Sequence, residues 1–161
     1  YLVVDPVMIS KSGYSLLRPE AKQNLIKYLI PKAYIVTPNI PEAEEITNMK
    51  IETVEDMKKA GQIILNLGPK YVLMKGGHLN GDCVDILIGK DLFEVFEGER
   101  IDRKNTHGTG CTISSAITSH LALGYDIKEA VRLSKEYITE AIRHSFDIGK
   151  GVGPVHHFYK F

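Results

Sequence analysis

The segment Thr106-His107-Gly108-Thr109-Gly110-Cys111 runs without a break into Thr112-Ile113-Ser114-Ser115-Ala116-Ile117, and this junction has the residue types that phosphate chemistry needs. A small-residue loop that opens a helix presents unbonded backbone N–H groups at the positive end of the helix dipole, which attracts anions. Gly108 and Gly110 let the backbone approach an anion closely and take positive φ angles. The alternative is a tight turn ahead of a buried helix. Cys111 falls in the first helical turn, where the dipole favours the thiolate. Such a group can accept a proton from an alcohol attacking a phosphate, and in loose phosphoryl transfer a modest base suffices. Its alternative is a small core residue. The pattern G-x-x-x-x-G-K-[ST] occurs nowhere in the chain, nor does G-x-G-x-x-G after a strand, so the loop is not a P-loop.

Three further groups follow strand-like runs. Asn39 and Glu42 form an N-x-x-E pair. It reads either as a capping box or as an amide and carboxylate that hold water on a Mg²⁺ bridging nucleotide phosphates, and the two readings are compatible. Asp5 can orient metal-bound water or cap its loop. Lys75 can meet a phosphate or stay solvated. His78, His107, His156 and His157 have no spacing to Cys83 or Cys111 that matches a zinc motif.

The elements that must position these groups alternate strand and helix. Leu2-Val3-Val4, closed by Asp5-Pro6, has the form of a buried parallel strand. A turn at Lys11-Ser12-Gly13 precedes a helix opened by Arg18-Pro19-Glu20 and reaching about residue 30, with Leu25, Ile26 and Leu29 inward. Ala33-Tyr34-Ile35-Val36 is the next strand, broken by Thr37-Pro38-Asn39, and a short helix covers Pro41-Glu42-Ala43-Glu44-Glu45-Ile46. A longer helix over about 54–67, with Met57, Ile63, Ile64 and Leu67 inward, leads to the strand Tyr71-Val72-Leu73-Met74, ended by Lys75-Gly76-Gly77-His78. Val84-Asp85-Ile86-Leu87-Ile88 and Phe93-Glu94-Val95-Phe96 form a hairpin. Helices over about 109–123 and 127–144 follow, and Gly149 to Pro154 is a loop. This is the βαβ pattern of an α/β domain, mostly parallel, with helices on both faces and antiparallel strands at one edge. In such sheets ligands bind outside the carboxyl ends of the strands, so these loops are expected to converge.

With 161 residues, 43% hydrophobic and 25% charged, the chain fits a single globular domain over 1–161. Its 20 basic and 20 acidic residues cancel, giving no electrostatic case for nucleic acid or an acidic membrane surface. No apolar run is long enough to span a membrane. Two cysteines suit a reducing cytoplasm. The chain starts at Tyr1 inside an apolar strand-like run, and a fragment of a longer protein is expected.

Asp5-Pro6-Val7-Met8, Lys11-Ser12-Gly13, Thr37-Pro38-Asn39-Ile40-Pro41-Glu42-Ala43-Glu44, Lys75-Gly76-Gly77-His78, His107-Gly108-Thr109-Gly110-Cys111-Thr112 and Gly151-Val152-Gly153-Pro154-Val155-His156 occur in one order. Together they resemble the hydroxymethylpyrimidine/phosphomethylpyrimidine kinases of thiamine biosynthesis, a branch of the three-layer ribokinase-like superfamily. Cys at position 111, where the wider superfamily usually has Asp, resembles this branch. The resemblance implies phosphorylation by ATP, with Mg²⁺, of 4-amino-5-hydroxymethyl-2-methylpyrimidine and then of its monophosphate. It implies an anion hole from Gly108, Thr109, Gly110 and Cys111, with Cys111 as general base. It also implies nucleotide-side roles for Asp5, Asn39, Lys75 and Thr106, metal association for Glu42 and Asp5, and a pyrimidine contact at Val7. This chain corresponds to the carboxyl-terminal, ATP-binding part, and the intact enzyme is expected to be a homo-oligomer. A pyridoxal or pyridoxine kinase of the same group and a non-catalytic nucleotide-binding fragment are the alternatives.

Overall fold

Short β-branched and aliphatic runs form the five strands of a mixed sheet in the order β1-β2-β3-β4-β5. These are β1 (Val3–Val4), β2 (Ile35–Val36), β3 (Tyr71–Lys75), β4 (Cys83–Gly89) and β5 (Leu92–Gly98). The computed structural model describes residues 1–9, 14–77, 83–99 and 101–161. The chain divides into two units, Tyr1–Glu99 and Arg100–Phe161. The turn expected at Lys11-Ser12-Gly13 and the strand-end His78 lie outside the described residues.

In the first unit β1, β2 and β3 are parallel neighbours, whereas β3 to β4 and β4 to β5 are antiparallel. The β4–β5 hairpin closes through Lys90-Asp91 after the Gly89–Leu92 pair, the two-residue connection that suits strand twist. One sheet face carries Val4, Val36, Val72, Met74, Ile86 and Ile88, all buried. Helix α3 (Val54–Leu65) covers its β3–β4 end. Met57, Ala60 and Ile64 pack there beside Ile40 and Ala43 of α2 (Ile40–Thr47). Val4 and Val36 pack with Ile30 and Ala33, flanked by Leu25 and Ile26. Ile35, Leu73 and Leu87, on the opposite face, are fully buried.

Two inward assignments are corrected. Ile63 is 42% exposed, because the buried stripe of α3 runs through Met57, Ala60, Gly61 and Ile64 and leaves position 63 to one side. Leu29 is 41% exposed. Its helix begins as α1 (Pro19–Asn24), widens to a π-turn over Leu25–Leu29 and tightens to a 3₁₀ turn over Ile30–Lys32. The changed pitch carries Leu29 off the face that regular α spacing assigns it.

The second unit is a helical hairpin of α4 (Thr109–Ala122) and α5 (Ile127–Arg143). Gly124, at φ 93°, makes the turn, and Asp126 caps α5 by accepting the Glu129 N–H. Ile113, Ile117 and Leu121 of α4, and Ile127, Ala130, Val131, Ile138 and Ala141 of α5, are buried at helical spacing.

Met74→Ala, at a fully buried site in mid-strand, is expected to cost about 2–5 kcal/mol in urea unfolding. Ile63→Ala is expected to stay within about 0.5 kcal/mol. Equal costs at the two positions would contradict the assigned face.

Candidate active site

Because β1, β2 and β3 run parallel, their carboxyl ends share one edge, and the residues that follow them meet there. Lys75 Nζ donates to Asp5 Oδ1 at 2.9 Å, and the Thr37 hydroxyl donates to the same oxygen at 3.2 Å. Both charged side chains are 14% exposed. So sheltered a pair attracts more strongly than one in open water, but the lost hydration has to be offset by hydrogen bonds such as that from Thr37. The Lys75 backbone N–H donates to Pro38 O at 2.9 Å, and Asn39 and Lys75 form an isolated parallel bridge. Lys75 is therefore fixed rather than freely solvated.

Asn39 caps α2. Its side-chain oxygen accepts the Glu42 N–H, and its own N–H donates to Glu42 Oε2, both at 2.9 Å. The N-x-x-E pair is thus a complete capping box. Glu42 is only 3% exposed. Burial pushes its carboxyl pKa up, against the lowering effects of the Asn39 N–H and the Lys75 charge, while Asp5 adds to the rise. Two carboxylates thus share the field of one lysine.

The donor set fits Mg²⁺ better than a metal held by protein alone. Among the described residues no group of three or more His, Cys, Asp or Glu can hold a metal. Mg²⁺ keeps much of its water and takes one or two carboxylates beside phosphates. A buried carboxylate whose ionised form is disfavoured gains from a nearby cation.

Gly76 follows Lys75 in a crowded bend, where an added Cβ would lie 1.9 Å from Val84 O. Its N–H donates to the buried Asp85 carboxylate at 2.9 Å. Neither Asp85 nor Thr37 was assigned a role from sequence. A charged residue inside the apolar run of β4 was the available signal for Asp85. Val7, 38% exposed, lies just beyond Asp5, and its N–H turns back to Asp5 O at 2.9 Å.

In the second unit the positive φ expected of the glycine loop is found at Gly108 and not at Gly110, which is already the second residue of α4. Gly108, at φ 82° and ψ 4°, is the N-cap of α4, and no side chain caps the helix. The first helical bond is Thr112 N–H to Gly108 O at 2.9 Å, so the amides of Thr109, Gly110 and Cys111 precede the helical ladder. Space beside Gly108 is open for 4 Å around an added Cβ, and its positive φ is what favours glycine. Thr106 lies at the head of the loop, where its carbonyl accepts the Thr109 hydroxyl at 3.2 Å. Cys111 is exposed, which excludes the core-residue reading. An open groove of about 530 Å³ runs from Cys111 along α4 past Ser115 and Ser119 to His120, with Tyr137 and His157 on its other side.

The phosphomethylpyrimidine kinase family pattern matches residues 1–156. The chain belongs to the phosphomethylpyrimidine kinase family. Among this family's members, it is 48% identical over 159 residues to the hydroxymethylpyrimidine/phosphomethylpyrimidine kinase of Staphylococcus aureus (strain MRSA252), covering 97% of this chain and 58% of that protein. The crystal structure of phosphomethylpyrimidine kinase from Clostridium difficile 630 is 70% identical, with a TM-score of 0.78 over 88% of this chain and 57% of that one. The pyridoxal kinase from Staphylococcus aureus in complex with AMP-PCP and pyridoxal is 37% identical, with a TM-score of 0.90 over 99% of this chain and 58% of that one. The expected ribokinase-like α/β class holds. The chain spans somewhat over half the length of these phosphomethylpyrimidine and pyridoxal kinases.

The Glu42 shift has a signed consequence. The folded state holds this proton more tightly than the unfolded chain. Glu42 therefore contributes stability that is fully present below its ordinary pKa of 4.5 and lost as pH rises through the raised folded value. Glu42→Gln keeps a neutral capping side chain, so the fall in Tm as pH rises above 4.5 should flatten in the variant. An unchanged slope in thermal melts would show that burial does not raise this pKa.

Proposed function

We propose that the strand-end groups of the first unit and the loop before α4 serve one reaction, transfer of the γ-phosphoryl group of ATP to a hydroxymethylpyrimidine and then to its monophosphate. The observation that carries the chemistry is the uncapped start of α4, with the exposed thiol of Cys111 in its first turn. The identity to phosphomethylpyrimidine kinases supports the choice of alcohol.

In this reading the amides of Gly108, Thr109, Gly110 and Cys111 hold the phosphoryl oxygens as charge shifts during transfer. Lys75, held by Asp5, meets the nucleotide phosphates as a fixed positive charge. Glu42 and Asp5, with Asn39, would hold Mg²⁺ largely through its water. Mg²⁺, when bound, neutralises phosphate charge. Thr106 borders the nucleotide, and Val7 the pyrimidine ring. The substrate oxygen bonds to the γ-phosphorus as the bond to the β-phosphate oxygen breaks and ADP leaves; in the first transfer Cys111 takes the alcohol proton, and in the second the attacking oxygen is one of the monophosphate's and brings no alcohol proton. Residues 1–161 then work as a single kinase domain, the ATP-binding part of a longer enzyme.

The proposed use of ATP and the low cysteine count support a cytoplasmic setting, and the family resemblance supports a homo-oligomer. Among the described residues no helix is long and apolar enough to cross a membrane. Pyridoxal is the second substrate to test, because the likeness to a pyridoxal kinase extends over 99% of this chain.

ATP consumption should be followed with hydroxymethylpyrimidine and pyridoxal side by side, for the chain alone and joined to the amino-terminal portion that the resemblance implies. Faster turnover of the pyrimidine by the joined protein is expected, and Cys111→Ala should lower kcat about 10²–10⁴-fold with Mg-ATP affinity nearly unchanged. Turnover of neither alcohol by the joined protein would favour a non-catalytic nucleotide-binding role, and full activity of Cys111→Ala would overturn the base assignment.

A further inference from the structure

The loop before α4 is held by a side chain that the proposed reaction does not use. Asn105 is 1% exposed, and both ends of its amide have partners. Its Oδ1 accepts the Gly153 N–H at 3.0 Å, and its Nδ2 donates to Asp147 Oδ1 at 2.9 Å. A backbone donor on one side and a carboxylate acceptor on the other fix which way the amide points. The Gly153 carbonyl in turn accepts the His107 N–H at 3.0 Å, and His107 and Pro154 form a parallel bridge. Both polar groups of Gly153 are therefore gripped by residues two apart in the loop, one on each side of Thr106. Position 153 has no room for a side chain, since an added Cβ would lie 2.3 Å from Asn105 Oδ1. The tail beyond is anchored as well: Val155 is 5% exposed, and the His156 N–H donates to Ala141 O at 2.9 Å. Asp147 is also paired with Lys104 at 3.2 Å.

We infer that Asn105 is a positioning residue that clasps the carboxyl-terminal tail, through Gly153, to the loop before α4 and so sets the direction of the amides from Gly108 to Cys111. Gly108 lies immediately after the clasped His107, and its own surroundings are open. The clasp therefore fixes the backbone just ahead of these amides, together with the Thr109 hydroxyl bond to Thr106 O. A buried amide with both partners in place specifies one arrangement, and loss of either partner leaves a buried polar group unpaired. Small displacements of groups aimed at a reacting centre reduce rates strongly although nothing at the centre has changed.

The inference rests on the proposed anion-binding role of the loop, and one assay separates the two. Alkylation of Cys111 by iodoacetamide is followed by peptide mapping, which distinguishes it from Cys83, in the presence of increasing Mg-ATP. Protection in the unaltered chain is the control for the role itself; if ATP gives none, the anion-binding reading fails and the clasp has nothing to position. Given protection, Asn105→Ala should need about tenfold or more ATP for the same effect. Asp147→Ala, which removes one partner at an exposed side chain, should shift it in the same direction with a smaller loss of Tm than Asn105→Ala. The double variant Asn105→Asp with Asp147→Asn exchanges donor and acceptor between the two positions and keeps the Gly153 bond, so it should recover most of the protection. ATP protection that is unchanged in Asn105→Ala and Asp147→Ala, or a double variant no better than Asn105→Asp alone, would overturn the inference.

Discussion

The ion pair between Lys75 and Asp5 is the contact on which the first unit's site depends. β1 and β2 are each two residues long, so their ladders supply little to fix the loops that follow them. The pair reaches from the end of β1 to the end of β3, across the Thr37 hydroxyl that follows β2. Three loops distant in sequence thereby become one surface, with Asn39 bridged to Lys75 and Glu42 within its field. At 14% exposure on both sides, the pair's net contribution to stability is modest. Loss of either partner would be costly, because the other charge would remain sheltered and unpaired.

The two units supply different kinds of electrostatics. The first offers formal charges, with two carboxylates and an ammonium held by hydrogen bonds. The second offers backbone amides and the dipole of a 14-residue helix, with no charged side chain capping its start. The proposed function gives this division a chemical sense. In that proposal, nucleotide phosphates and their metal would be met by fixed charge, and the moving phosphoryl group by donors that need no reorganisation as charge shifts. Each set is tied down by a buried acceptor on a glycine amide, Asp85 on Gly76 and Asn105 on Gly153.

Much of this was legible in the sequence because it rests on local rules. The alternation of apolar runs gave the strands and the hairpin, Asn39 and Glu42 announced a capping box, and two glycines around a helix start marked the loop. The parts that escaped are those where one segment acts on another. Leu29 and Ile63 were assigned inward from helical spacing, but a π-turn and the actual stripe of α3 turned them out. Thr37, Asp85 and Asn105 are ordinary polar residues until folding brings them to partners 32, 9 and 48 positions away. No spacing rule reports such pairings.

The central claim is that the strand-end groups and the loop before α4 bind the same nucleotide. It is tested most directly by titrating the isotope-labelled chain with Mg-ATP and following backbone amide resonances by NMR. Amides of Asn39 and Lys75 and those of Gly108, Gly110 and Cys111 should shift together, with one shared dissociation constant. Shifts confined to one set, or two sets saturating at different ATP concentrations, would contradict it.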